Sequence, residues 1–222
     1  ELYEFLTDEE KDVEQEIKNT EVDTADIAEE LSKIIFDQVI RAKKLRYDET
    51  RQDYPFTRKL DDRVFGRTQE LSVHIISPFH DEYQQLEQIK MRHMGQPELL
   101  VVLPADDRLF RDIQLFKQTE KYISQNFSLA KQDSVKRILT EKTFSNQDRQ
   151  SEIADSLKEA LGMARMFVAN SEVESKSQDP NTRIHEGFEE LIRHTYTNLP
   201  MLRGIQYSEN EIEKCLRGDD NS

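Results

Sequence analysis

A single cysteine, Cys215, stands in 222 residues. No disulfide can form within the chain, and nothing points to an oxidising, extracellular compartment. Tryptophan is absent, and glycine and proline number six each, too few for the turn-dense sequence of a β sandwich. No run of about 18 consecutive apolar residues occurs, so no membrane segment is expected. The acidic opening Glu1-Leu2-Tyr3-Glu4 has neither an initiating methionine nor a signal-peptide pattern. These absences lead us to expect a cytoplasmic piece excised from a longer protein.

What is present is charge. Charged residues make up 34% of the chain against 36% hydrophobic, and the mean hydropathy is −0.81. That balance suits long solvated helices, each burying one stripe. The net charge of −14 argues against non-specific nucleic-acid binding by the whole surface. Its distribution is uneven. Residues 1–40 carry fourteen acidic and three basic side chains, whereas residues 41–67 carry nine basic and five acidic ones. The basic island comprises Arg41, Lys43, Lys44, Arg46, Arg51, Arg58, Lys59, Arg63 and Arg67.

Periodicity predicts an α+β fold, predominantly helical, in which long helices pack with a small mixed sheet. Thr7 and Glu10 have capping-box spacing, so a helix is expected to about Lys18. A second, after Asp23, carries Ile27, Leu31, Ile34, Ile35, Val39 and Ile40 at helical intervals. Short β-like runs follow at Lys44–Tyr47, Phe56–Leu60 and Arg63–Phe65, the last two joined by an Asp61-Asp62 turn. Leu71–Ile76 and Leu99–Leu103 read as strands stopped by Pro78 and Pro104, with a helix from Glu82 to Met94 between them. Beyond Pro104 the chain reads as helix: one capped by Asp106 or Asp107, one from Asp133 towards Phe167 with an expected break at Phe144-Ser145-Asn146, and one opened by Asp179-Pro180. A hairpin over Asn170-Ser171 and a terminal helix after the capping box Ser208–Glu211 complete the reading. Two segments are expected, 1–104 and 105–222.

Chemistry-bearing motifs are scarce. None of the six glycines is followed by Lys, so the phosphate cradle of a P-loop is missing. Leu99–Asp107 superficially has the form of a Mg²⁺-side acidic strand end, but Leu103-Pro104-Ala105 spoils the spacing, and helix capping by Asp106 and Asp107 accounts for the acids better. His74, His80 and Asp81, with Asp106 or Asp107, could supply donors for a metal-dependent hydrolase, yet nothing local makes them converge. Packed or surface histidines are the favoured reading, and His93, His185 and His194 have no recognised ligand spacing. No Gly-x-Ser-x-Gly elbow occurs. We expect no catalytic, cofactor-binding or metal residues. The best binding feature is the basic island, with Arg41, Lys43, Lys44, Arg46, Arg58, Lys59, Arg63 and Arg67 as contacts for a partner protein or for DNA. Tyr47, Tyr54, Phe56 and Phe65 are available for stacking on bases. Two helices followed by a hairpin are compatible with a winged helix.

Several phrases carry a resemblance: Tyr3–Thr20, Leu71–Pro78, Leu103–Leu109, Gln118–Tyr122, Ser134–Leu139, Phe167–Asn170 and Asp179–Ile184. Together they resemble the large P-loop protein of bacterial BREX phage-defence systems, BrxC, and its relative PglY. The resemblance implies a cytoplasmic ATPase-like parent that takes ATP and Mg²⁺ and works with PglZ, BrxB and the methyltransferase PglX. No nucleotide-site residue of that family has a counterpart here, so the segment is expected to be a non-enzymatic interaction or regulatory piece beyond the ATPase core. The alternative is a DNA-contacting module centred on residues 41–67. By the glycine reading, the chain is expected to show no saturable micromolar binding of ATP–Mg²⁺ in titration calorimetry, and a saturable isotherm would contradict it.

Overall fold

The computed structural model describes residues 7–197; the terminal helix expected after Ser208 lies outside them. Helix α1 (Asp8–Asn19) begins where Thr7 accepts a hydrogen bond from the Glu10 amide. Helix α2 (Thr24–Lys33) runs on as a π-helical segment, Ile34–Ile40. Three successive residues of this segment, Ile34, Ile35 and Phe36, are buried together. Arg41 closes the segment in the left-handed conformation (φ 59°), its amide donating to the Phe36 carbonyl.

Strands β1 (Lys44–Tyr47), β2 (Gln52–Leu60), β3 (Arg63–Phe65), β4 (Leu71–Ile76), β5 (Glu98–Val102), β6 (Arg165–Val168) and β7 (Ser171–Val173) form one mixed sheet. Six of them lie along a single path, β1-β2-β4-β5-β6-β7, while β3 pairs with β2. The centre, β2-β4-β5, is parallel, and the flanking pairs are antiparallel. Helix α3 (Leu86–His93) makes the crossover from β4 to β5. Helices α4 (Asp107–Asn126) and α5 (Asp133–Met163) separate β5 from β6, and α6 (Pro180–Thr197) ends the described chain.

Side chains alternate across the sheet. Phe56, Leu60, Val73, Ile75, Leu99, Val101 and Met166 enter the main core, with the π-helical segment, α4, α5 and α6. Ile76, Leu100, Val102 and Phe167 face the other way, against Ile89 of α3. A third cluster, Val13, Ile17, Ile138 and Leu139, fastens α1 to the α4–α5 pair. The segments expected as 1–104 and 105–222 thus contribute strands to one sheet and side chains to one core. Gly187 marks the closest approach of α6 to the sheet, where a Cβ would stand 2.9 Å from Leu99 Cδ1 and 3.2 Å from Met166 Sδ.

The structure differs from the sequence expectation in four places. Helix α5 does not break at Phe144–Asn146: Asn146 is buried, and its side-chain amide donates to the Phe116 carbonyl of α4 at 3.1 Å. A polar stretch that reads as a loop is thus where two helices are cross-linked. The β6–β7 turn is Ala169-Asn170, both at positive φ. Helix α3 is shorter than Glu82–Met94, because residues 79–84 form turns. The β2–β3 hairpin is not a free wing: β2 pairs along its other edge with parallel β4. Val101 is 1% exposed on the central strand β5. Val101→Asp is therefore expected to cost about 3–5 kcal/mol, the penalty of an unpaired buried charge; urea unfolding checks it, and an unchanged midpoint would contradict the assignment.

Candidate functional site

The β2–β3 turn consists of Asp61 and Asp62, both left-handed (φ 47° and 68°). A two-residue turn of this form favours Asn or Asp followed by Gly, so a second Asp has to be held there by its surroundings. The Asp61 amide donates to the Ile75 carbonyl, and its carboxylate accepts from both the amide and the hydroxyl of Ser77. Burial pushes the Asp61 carboxyl above the ordinary range, and the Ser77 hydrogen bonds only partly oppose this.

Asp62 turns towards the α3 side of the sheet, where alternation places Lys59, His74 and Glu98 together. The His74 side chain is fully buried. Its Nδ1 lies 3.1 Å from Glu98 Oε1, and its Nε2 accepts the Asp62 amide at 2.9 Å. Those two contacts define the tautomer: a neutral imidazole with the proton on Nδ1. His93, on the last turn of α3, stands edge-on to His74, with ring centres 4.8 Å apart. Its Nε2 is 3.0 Å from Asp62 Oδ1. Its Nδ1 lies 2.7 Å from Glu98 Oε1, yet without hydrogen-bond alignment, and is left as a buried unpartnered atom. His80 accepts the Glu82 amide on Nδ1 and donates from Nε2 to Asp62 Oδ2 at 2.7 Å. Lys59 Nζ completes the group, 3.0 Å from Glu98 Oε2.

Glu98, with a side chain 2% exposed, joins β2, β4 and α3. Burial is the largest influence on its carboxyl and opposes ionisation. His74 and Lys59 together outweigh it and hold the carboxyl below the ordinary range. The same balance holds at Asp62, where burial is opposed by the His80 hydrogen bond and the surrounding imidazoles, again with a net lowering. Asp61, Asp62 and His80 also line a cleft of about 560 Å³ beyond the carboxyl ends of parallel β2 and β4, walled by Ile27 and Phe110. Ligands of open sheets with parallel strands commonly bind at such ends.

His74 and His80 do meet, as the sequence suggested for a ligand set, but around Asp62. Asp106 instead caps α4 through the Arg108 and Leu109 amides. His93 and Glu98 were missed. The only local trace of Glu98 is an acidic residue placed directly before an apolar strand. Among the described residues, Asp62, His74 and His93 are grouped so as to be able to hold a metal, their donor atoms within 4.8 Å of one another. A second grouping, Asp48, His185 and Glu189, is weaker, because His185 Nε2 donates to the Arg46 carbonyl at 2.7 Å.

The basic island is divided. Arg58 reaches into the main-core side, 2.8 Å from Asp37 and over the Phe36 ring, whereas Lys59, its neighbour, points to Glu98 on the opposite side. Arg41 Nε donates to the Gln38 carbonyl, and Lys44 pairs with Asp53 at 3.1 Å. Arg46 is held through its carbonyl by His185. Lys43, Arg63 and Arg67 carry no ion pair among the described residues. Lys43, Lys44, Arg58 and Arg67 border a groove of about 510 Å³ with Phe56 and Phe65. Two members of the acidic block pair outside the island, Glu14 with Lys142 and Glu30 with Lys117.

Six strands along one path, parallel at the centre and antiparallel at both edges, with helices on both faces and a histidine–carboxylate cluster at one turn, define a mixed-sheet α+β domain. Residues 20–191 match the family described as the BREX ATP-binding protein BrxC 4th domain with six-stranded beta sheet. The chain belongs to that family and is part of a BREX phage-defence component. No solved structure matches it. Among the described residues, no helix is long and apolar enough to cross a membrane.

Removing the Glu98 charge leaves Lys59 and two imidazoles facing a neutral group. Glu98→Gln is expected to lose about 3 kcal/mol, as breaking a buried ion pair does. The lowered carboxyls of Glu98 and Asp62 add stability above the ordinary carboxylate range, and that stability is lost as pH falls through their depressed values. Denaturant midpoints followed from neutral pH into acid are therefore expected to fall less steeply in Glu98→Gln than in the unaltered chain.

Proposed function

We propose that this chain is a non-catalytic interaction segment of a large BREX ATPase-like protein, passing the nucleotide-dependent state of its parent to partner proteins. PglZ, BrxB and PglX are the partners that the family resemblance implies. The observation that carries this reading is the division of the basic island. A duplex-binding face needs its cations on one side, free to replace phosphate counterions. Here Arg58 and Lys59 stand on opposite faces of β2, each tied to a carboxylate. At the groove a narrow exposed set remains, Lys43, Arg67 and Lys44 beside Asp53, suited to acidic side chains of a partner. The 31 residues of α5 form a rod of about 46 Å at about 1.5 Å rise per residue, and such an element carries displacement without bending.

A DNA-contacting role is the second reading, favoured by the groove where those three cations meet Phe65. Lys43, Lys44 and Arg67 changed together to Glu test both, without touching the buried Lys59. The variant is expected to fold normally and to lose co-purification with another BREX component, while duplex DNA binding by the unaltered chain stays at about 10⁻⁴ to 10⁻⁶ M, the non-specific range. A nanomolar DNA shift at physiological salt, abolished in the variant, would replace the partner reading with the DNA one.

A further inference from the structure

We propose that Asp62, His74 and His93 form a binding site for a divalent transition-metal ion, with Zn²⁺ the best-suited occupant, held by Asp62 Oδ1 and the Nε2 atoms of the two imidazoles. This departs from the sequence expectation of no metal and stands independently of the partner-coupling reading.

Three observations converge. The first is spacing. Asp62 Oδ1 lies 3.0 Å from His93 Nε2 and 3.4 Å from His74 Nε2. Ligands at about 2.0–2.1 Å from a tetrahedral ion stand about 3.3 Å from one another. The three donor atoms all lie within 4.8 Å of one another, so small side-chain shifts bring them onto one ion.

The second is proton accounting. His74 is neutral with its lone pair on Nε2, as its two contacts require. At His93, two ring nitrogens face two carboxylate oxygens at 2.7 and 3.0 Å. A neutral imidazole can donate to only one of these carboxylates, and the other place is filled either by a second ring proton or by a cation bound at Nε2. Among the described residues the buried Nδ1 of His93 has no aligned hydrogen-bond partner, although Glu98 Oε1 lies beside it. With an ion between Nε2 and Asp62, the His93 proton moves to Nδ1, where Glu98 receives it.

The third is support. A metal-bound histidine ordinarily gives its second ring N–H to a carboxylate, which fixes the ring and raises its basicity. Glu98 Oε1 lies within 3.1 Å of both Nδ1 atoms, and Lys59 anchors its other oxygen. His80 does the equivalent for Asp62. Its Nδ1 accepts an amide, so its Nε2 carries the proton that holds Oδ2 and leaves Oδ1 for the ion. His80 is thus a positioning residue, not a ligand. Asp62, 39% exposed at the cleft mouth, offers the path of entry. Uptake exchanges the Asp62 N–H bond to His74 Nε2 for a metal–nitrogen bond, which sets the affinity below that of a fully preformed site. Two imidazoles and one carboxylate leave at least one coordination position for water.

The test uses the full 222-residue chain, freed of metal by chelator and titrated with Zn²⁺ by calorimetry and with Co²⁺ by visible absorption. The expected result is one saturable ion per chain, a higher melting temperature with Zn²⁺, and Co²⁺ bands stronger than those of the aqueous ion. His93→Gln and Asp62→Asn should each weaken binding at least tenfold, while His185→Gln, at the other grouping, should bind as the unaltered chain does. If Asp62→Asn fails to fold, His93→Gln at the end of α3 supplies the comparison, and the Co²⁺ spectrum of the unaltered chain stands without any variant. Absence of saturable binding, an aqueous Co²⁺ spectrum, or affinity retained in His93→Gln would each overturn the proposal.

Discussion

One buried carboxylate organises the α3 side of this domain. Glu98 enters the sheet at the start of β5, where water is excluded, and a lone charge there would be prohibitive. It is tolerated because β2 contributes Lys59, β4 contributes His74 and α3 brings His93. The contacts are mutual: each partner is drawn out of water by the same carboxylate, so the parallel register β2-β4-β5 and the seating of α3 are specified by charge as well as by apolar packing. Ion pairs of this kind contribute less to stability than their number suggests, and their better-attested role is to exclude alternative arrangements. A one-residue slip of β5 would move Glu98 into the main core and Leu99 out of it.

The same group accounts for the backbone at the β2–β3 turn. Two successive aspartates in the left-handed region are costly for residues with a Cβ. Asp61 is retained by Ser77, and Asp62 by three histidines. The carboxylates thus do locally what a glycine would do by conformational freedom, and they add a polar focus at the mouth of a cleft. Charges that look like one basic surface in the linear chain are drawn apart by this arrangement, with Lys59 committed to the interior and Arg58 to the π-helical segment.

Much of the fold was legible in the chain. Prolines after Ile76 and Leu103, the Thr7 and Asp179 caps and the Asp61-Asp62 turn marked element boundaries that depend on local backbone chemistry. What escaped the reading depends on distant partners. Asn146 looked like a helix breaker because its hydrogen bond goes to α4, thirty residues away in sequence. The hairpin looked like a wing because nothing near residues 56–60 announces that β4 will occupy their free edge in parallel. The site was half visible for the same reason. His74 stood out on an alternating strand, but His93 and Glu98 reach it only through the β4–α3–β5 crossover, and no spacing rule encodes a meeting set by parallel register. The family resemblance, spread over most of the chain, was the one non-local signal available, and the family match bears it out.

The strand order has a consequence in time. Strand β5 is paired on one side by β4, but its other neighbour, β6, follows only after residues 103–164. At a synthesis rate of roughly 5–20 residues per second, about three to twelve seconds separate the emergence of the two strands from the ribosome. Throughout that interval the continuous apolar run Leu99–Val102 presents an unpaired edge, the feature that templates association between nascent chains. Helix α3, made before β5, can shield one face of that strand but not its hydrogen-bonding edge. The domain therefore carries that open edge until its own last hairpin arrives.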